Sequence, residues 1–396
     1  MLIERIRTQI QHADAWGWRE KREGGTERVP CISFRDYMAC CLYDDKEGYY
    51  SSGEVRIGRA GDFYTSSGIG TIFGEMLAAY IASLTGRLGT SAADIAEWGA
   101  GSGALSAQML AEWRRKGQRL AGHYAVVDAN PVHLREAARA VEGIHPHLFV
   151  MKPAEAINMK WRSNQADQPL IVIANELLDA FPVHRVARLH GRLWELGVSL
   201  SLDDAPAGPA NGEALFSTVY MPLSDERIEQ SLLADGIELA EGQETEVNLD
   251  SEGWLAEMSE AIDYGAIVII DYGHEAAELT ASHRMRGSFL CYSGHIAHDN
   301  PYLNPGRQDL TSHINFTACR RAAERAGWQV AAYQTQKQFL VEQGILQQLI
   351  AHQDSNPFSE PARRNRSIRQ LLLSDGMSET FKVLTLYKPV SEKRLN

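Results

Sequence analysis

Residues 97–103, Glu97-Trp-Gly-Ala-Gly-Ser-Gly103, constrain this chain more than any other stretch. They follow the largely apolar run 92–96 and precede a run of helix formers, 104–113. A strand that ends in an acid, then three alternate glycines, then a helix, makes a nucleotide-cofactor loop, because glycine lets the backbone turn tightly and approach a ligand closely. The acid selects among ligands. A carboxylate repels a pyrophosphate and attracts an ammonium group, so the loop points to S-adenosylmethionine (SAM) before a dinucleotide. Gly99, Gly101, Gly103 and Ala104 also satisfy the dinucleotide pattern in its G-x-G-x-x-A form, and they equally suit a turn that binds nothing. The other strand ends have to decide.

Downstream, the chain alternates. The pattern predicts strands at 94–98, 123–128, 148–151, 170–174 and 266–271, helices at 104–116 and 131–141, and a last alternating strand at 381–388. This is the signature of a parallel sheet with helices on both faces. Residues 1–88 read as a mostly helical region. Leu2, Ile3, Ile6 and Ile10 fall at helical spacing, Ser33 stands as an N-cap before 34–42, and 71–83 reads as an apolar helix. Residues 183–222 differ. Runs at 183–189 and 193–200 flank His190-Gly-Arg192, a hairpin signal, and a Pro/Gly-rich loop from 203 leads to a third candidate strand at 214–220. The domain reading is a helical cap with lid loops (1–88), the first part of a cofactor-binding core (89–182), an inserted antiparallel segment for substrate recognition (183–262), and completion of the core with acceptor-side loops and the final strand (263–396).

In an open α/β sheet, ligands bind beyond the carboxyl ends of the strands. The second strand ends at Asp128, twenty-five residues beyond Gly103. A carboxylate there can accept from two ribose hydroxyls, or it can start a turn with Asn130-Pro131. The fourth ends in Asn175-Glu176-Leu-Leu-Asp179-Ala-Phe-Pro182. In a methyl-transfer enzyme these two carboxylates and the amide would face the methyl group and its acceptor; alternatively the acids cap a helix. The fifth leads to a loop, Asp271-Tyr-Gly-His274, in which His274 is a proton acceptor or a carboxylate's partner. A nicotinamide enzyme shares the glycines and the second-strand acid, but has no particular need for Asn-Glu-x-x-Asp. The segment Asp309-Leu-Thr-Ser-His313 reads as a helix entrance capped by Asp309 or Thr311.

Bulk properties narrow the partners. The net charge of -12 over 396 residues does not favour general binding to nucleic acid or to anionic membrane. Five cysteines, two of them adjacent and none in C-x-x-C, argue against a disulfide framework and a structural zinc. His295, His298 and His313 match no common ligand spacing, so no metal is expected. The start of the chain has no signal-peptide core, early Glu4 and Asp14 argue against a transit peptide, and no apolar run is long enough to span a bilayer. The expected compartment is the cytoplasm. The apolar stripe at 2–10 serves either a homodimer contact or packing on the core.

Taken together, these residues resemble the MidA-like SAM-dependent methyltransferases, whose mitochondrial members are protein arginine methyltransferases acting in assembly of respiratory complex I. The resemblance covers most of the chain: Tyr37-Met38, Gly48-Tyr-Tyr50, Gly61-Asp-Phe-Tyr-Thr-Ser66, Phe73-Gly-Glu75, the 97–103 loop, 175–183, Asp271 to His274, 287–292 and 304–316. It departs at Ser67-Gly68, where the family usually has Pro-Glu, and at Ala100 and Ser102, where Pro and Arg are common. The resemblance implies an α/β fold of the class I, Rossmann-like kind: a mostly parallel seven-stranded sheet with an antiparallel last strand, an N-terminal helical region and an inserted β-hairpin segment. It implies SAM held by Glu97, Gly99, Gly101, Gly103, Asp128 and Asn175, with Asp62, on a lid-like loop, as a further contact. It implies transfer to an arginine of a protein acceptor, with Glu176 pairing with the guanidinium and Asp179 or His274 taking the proton. The competing readings are a small-molecule acceptor, a SAM-binding assembly chaperone without turnover, and a nicotinamide-dependent oxidoreductase.

Overall fold

The structure, a computed structural model, describes residues 1–21, 24–51, 66–118, 121–145, 147–159, 168–201, 215–294, 296–352, 356–374 and 378–389. The chain divides into two compact units, each gathered from three stretches. One comprises Met1–Ser52, Asp179–Gly253 and Gly273–Cys319; the other comprises Gly53–Leu178, Trp254–Tyr272 and Arg320–Asn396.

The second unit is an α/β layer structure built on a mixed, mostly parallel sheet. Its strands lie in the order Leu148–Met151, Ala121–Val127, Ala93–Trp98, Leu170–Asn175, Gly265–His274, Phe381–Lys388, Gln329–Thr335. The first five are mutually parallel, and Phe381–Lys388 runs antiparallel to both its neighbours. The central strands are apolar because helices cover both faces: every residue of Ala93–Trp98 and every residue of 170–174 is buried. Phe73, Leu77 and Ile81 of the Ile72–Arg87 helix share a core with Met109 and Trp113 of Ala104–Arg115 and with Ile171, Ile173, Val268 and Ile270.

Two expectations change here. The strand Gln329–Thr335 is one that the alternation did not reveal. It is an edge strand, largely half-exposed, with a register shift between Val330 and Ala332, so its apolar contrast is weak. The Phe381–Lys388 strand is antiparallel as expected, and its place between two strands explains its buried Val383, Leu384, Thr385 and Leu386. The residues Asp271 to His274 do not form a loop, since the strand runs on through His274.

The first unit is antiparallel. Its sheet has the order Glu244–Val247, His184–Leu189, Arg192–Leu200, Phe216–Met221, Trp16–Glu20, Thr26–Pro30, with Ile32–Ser33 paired to Arg192–Leu200. The hairpin signal is realised as a two-residue turn: His190 (φ 53°) and Gly191 (φ 70°) connect the Leu189↔Arg192 pair, matching the twist that such hairpins require. The inserted segment therefore belongs to a larger sheet. The N-terminal region, expected to be mostly helical, contributes the two strands Trp16–Glu20 and Thr26–Pro30, too short and too polar to stand out as alternation. Its helices appear as read. In Leu2–Gln11, Leu2, Ile6 and Ile10 pack with Tyr37, Met38, Val198 and Phe216, so the stripe is core. Ser33 caps Phe34–Tyr43 by accepting from the Asp36 N–H at 3.0 Å. Asp309–Thr311 is a strand against Leu290–Ser293 and not a helix entrance; the following helix is capped by Asn315, which accepts from the Ala318 N–H at 3.1 Å. The Pro/Gly-rich stretch from 203, Asp62 with its loop, and His295 lie outside the described residues.

Candidate functional site

Register builds the site. In the α/β unit Trp98 pairs with Val127 on one side and with Ala174 on the other, and Asn175 pairs with Ile270. The carboxyl ends of three parallel strands therefore finish within about a residue of one another, and the segments leaving them (from Gly99, Asp128 and Glu176) share one edge of the sheet, beside which the fourth strand runs on through Asp271 to His274. That edge is where a parallel sheet presents ligand-binding loops.

The glycine loop is built of left-handed residues: Gly99 (φ 69°), Gly101 (φ 53°) and Gly103 (φ 74°). L side chains rarely adopt such angles. Space closes two of these positions as well. A β carbon on Gly99 would lie 2.8 Å from Leu177 Cδ1, and one on Gly103 would lie 2.8 Å from both Cα and Cβ of Ala137. The third glycine thus lets the helix that it starts approach Pro131–Val141.

Asp128 organises the loop from the neighbouring strand end. One carboxylate oxygen accepts from the Gly101 N–H at 2.9 Å, and the other accepts from the Asn130 N–H at 2.7 Å. His133 Nδ1 lies 3.3 Å from that second oxygen. The turn reading and the loop reading of Asp128 thus meet in one side chain, and Asn130 caps the next helix through the Val132 N–H at 2.7 Å. Glu97 is buried. It accepts from Ser106 Oγ, which itself accepts from the Tyr124 hydroxyl at 2.9 Å. Burial pushes the Glu97 carboxyl up to about 7; hydrogen bonds from Ser106 pull the other way, and the nearby Asp128 adds to the rise.

Glu176 is the unusual residue at this edge. Its φ of 52° is left-handed, a region that non-glycine residues enter rarely and often at functional sites. Its N–H donates to the Ile270 carbonyl at 2.8 Å, and its Oε1 accepts from Asn175 Nδ2 at 3.1 Å. The Oδ1 of Asn175 is buried without a hydrogen-bond partner among the described residues, an acceptor that a ligand donor would satisfy. Trp98 packs edge-on to Trp254 at 6.5 Å behind the loop.

The remaining two candidates belong to the antiparallel unit. Asp179 is buried in the short turn Leu178–Ala180, and its carbonyl accepts from the Ser312 N–H at 3.1 Å. His274 lies 5.4 Å, ring to ring, from His313, and its Nε2 is 3.2 Å from Arg284 Nη2. The α/β unit therefore brings together Glu97, Gly99, Gly101, Gly103, Asp128, Asn175 and Glu176.

A family model described as "Putative S-adenosyl-L-methionine-dependent methyltransferase" matches residues 76–334. The chain belongs to that family. This methyltransferase is similar to Protein arginine methyltransferase NDUFAF7 homolog, mitochondrial, of Drosophila melanogaster: 28% identical over 315 residues, 75% of this chain and 67% of that protein. It is similar to Protein arginine methyltransferase NDUFAF7, mitochondrial, of Danio rerio, 27% identical over 376 residues, 90% of this chain and 83% of that protein. Among solved structures, one from Burkholderia thailandensis bound to S-adenosyl-homocysteine superposes with a TM-score of 0.81 at 27% identity, covering 98% of this chain and 92% of that chain.

Sequence reasoning missed three residues packed into this candidate site. Ser106 and Tyr124 surround Glu97, and Leu177 covers Gly99. Only the last carried a signal, being framed by the two acids of the 176–179 stretch.

Proposed function

We propose that the chain transfers a methyl group from SAM to an arginine side chain of a protein acceptor, on a class I methyltransferase core. The observation that carries the reading is the shared edge, where a loop of left-handed glycines, an acid-bearing second strand end and a left-handed Glu176 stand level. The names of the mitochondrial relatives support arginine and a protein acceptor. The sheet order, with its antiparallel strand between two parallel ones, supports the class I assignment.

The residues present fit such a cofactor: the loop offers backbone where a β carbon would clash, and Asn175 offers a buried acceptor. Gly99 to Gly103 and Glu97 would take the methionine end, and Asp128 the ribose. When bound, SAM supplies an electrophilic methyl on a sulfonium sulfur. Arginine is cationic at neutral pH and a poor nucleophile. Glu176 pairs with the guanidinium through two charge-assisted hydrogen bonds and aims one nitrogen along the line of displacement. Orientation of that kind supplies most of the catalysis. Asp179 or His274 takes the proton. The free state of all five cysteines fits the cytoplasm, where we place the chain.

The test is methyl-labelled SAM incubated with the purified chain and a protein extract, followed by acid hydrolysis of the protein. Label in methylarginine is expected. Label only in small molecules would refute the protein acceptor. Glu176→Gln is expected to leave the SAM dissociation constant unchanged and to remove the transfer; full activity in that variant would refute the role given to Glu176.

A further inference from the structure

The turn that carries Glu176 is suspended from the neighbouring strand. A left-handed non-glycine residue persists only where its surroundings over-determine it. Two backbone anchors do this within the α/β unit. The Glu176 N–H donates to the Ile270 carbonyl at 2.8 Å, and the Leu178 N–H donates to Asp271 Oδ2 at 2.9 Å. The other oxygen of Asp271 accepts from the Tyr272 N–H at 2.9 Å. Asp271 is fully buried, and its backbone is locked between Phe381–Lys388 and the pair Ile270↔Asn175. Between the two anchors lies Leu177, the side chain that covers Gly99. The first anchor is a backbone carbonyl and does not depend on the side chain at 271. The second depends on it entirely.

We propose that Asp271 is a positioning residue for methyl transfer: through the Leu178 N–H it holds the left-handed turn that sets the direction of the Glu176 carboxylate. The assignment rests on the acceptor role given to Glu176. The carboxylate matters because it accepts from two backbone donors at once. An asparagine has one acceptor oxygen and an NH2 group, so one buried N–H would face a donor. Where the amide NH2 faces Leu178, the turn loses this hold on the strand while the Ile270 anchor remains.

The test compares Asp271→Asn, Glu176→Asp and the double variant, using methyl-labelled SAM over a concentration series and one fixed protein extract, from cells lacking the chain, as acceptor pool. Asp271→Asn is expected to lower the rate at saturating SAM by about 100-fold, the loss that a ~1 Å misplacement carries. The KM for SAM should move less than about threefold, because an interaction lost only in the transition state leaves ground-state binding alone. In the Glu176→Asp background the same change should cost little more. A normal rate in Asp271→Asn, a rise in KM with the saturated rate unchanged, or multiplied losses in the double variant would each overturn the assignment. Failure of the Glu176 reading is a separate result, namely full activity of Glu176→Gln. If Asp271→Asn does not fold, hydrogen exchange of the wild-type chain decides: the Leu178 amide should exchange as slowly as that of Glu176, and rapid exchange at Leu178 overturns the proposal.

Discussion

Gly103 separates conformational from steric demands on the cofactor loop, because the chain contains its own control. Gly103 (φ 74°) and Gly89 (φ 77°) have nearly the same left-handed backbone, but a β carbon on Gly89 meets nothing within 4 Å, whereas one on Gly103 meets Ala137 Cα and Cβ at 2.8 Å. For Gly89→Ala only conformation counts. The left-handed form costs an alanine roughly 1–2 kcal/mol, offset by about 0.4–1 kcal/mol from the less flexible unfolded chain, so a net loss of about 1 kcal/mol is expected. Gly103→Ala carries the same term plus overpacking against a helix backbone that cannot rotate away, roughly 1–3 kcal/mol more. Its total of about 2–4 kcal/mol is a large part of the roughly 5–15 kcal/mol that holds a typical domain folded. Equilibrium urea unfolding of the two variants beside the parent, by far-ultraviolet circular dichroism, reads the difference. If Gly103→Ala is no less stable than Gly89→Ala, the helix does not need the glycine for close approach, and the argument from the Ala137 contact fails.

Other expectations follow from charged pairs and buried acids. Glu97 titrates near 7 in the folded chain, against about 4.5 for an ordinary glutamate, so the folded state holds the extra proton between those values. Stability should therefore be highest below about pH 4.5 as far as this group is concerned and should fall as pH rises through 7, by about 3 kcal/mol in all. Glu97→Gln should flatten that dependence in urea unfolding at pH 5 and pH 8; an unchanged slope would show that Glu97 is not its source. Glu75 accepts from Arg364 through two bonds of 3.0 and 2.7 Å and from Thr71 at 2.7 Å. Burial opposes its ionisation, but the Arg364 guanidinium holds the carboxyl below the usual range. This contribution should be present above pH 4.5 and lost as pH falls below it, and a Glu75→Gln, Arg364→Met double-mutant cycle should give a coupling of about 1–2 kcal/mol at pH 7. A coupling near zero would make the pair ornamental.

The core of the α/β unit could be read from the chain because its physics is local. A strand buried on both faces must be continuously apolar, so 170–174 and 266–271 announce themselves, and the helix Pro131–Val141 carries a proline at its start and an asparagine cap. What escaped lies at edges and half-exposed faces. Gln329–Thr335 and Thr26–Pro30 have mixed burial along their length, so side-chain polarity does not alternate cleanly there. The position of Phe381–Lys388 inside the sheet is a matter of order, and order is set by long-range pairing that no local pattern encodes.

The site divides along the same line. Residue type at strand ends singles out Glu97, Asp128, Asn175 and Glu176, and the register gathers them at one edge of the sheet. What each group does depends on register and on backbone angle. The carboxylate of Asp128 serves the Gly101 N–H twenty-seven residues back along the chain, and Asp271 serves the Leu178 N–H ninety-three residues back. The first bond exists because two parallel strands end level, and the second because the Gly265–His274 strand runs on past the end of Leu170–Asn175. An acid that follows a strand in sequence can face a ligand, a helix start or the backbone of a neighbouring loop, and the sequence is the same in all three cases. Glu176 shows what separates them. Its left-handed φ is costly for a glutamate and would be relieved by glycine, yet a glutamate stands there, held by the Ile270 carbonyl and by the turn that Asp271 anchors. A left-handed backbone that keeps a carboxylate is consistent with the acceptor role proposed for Glu176.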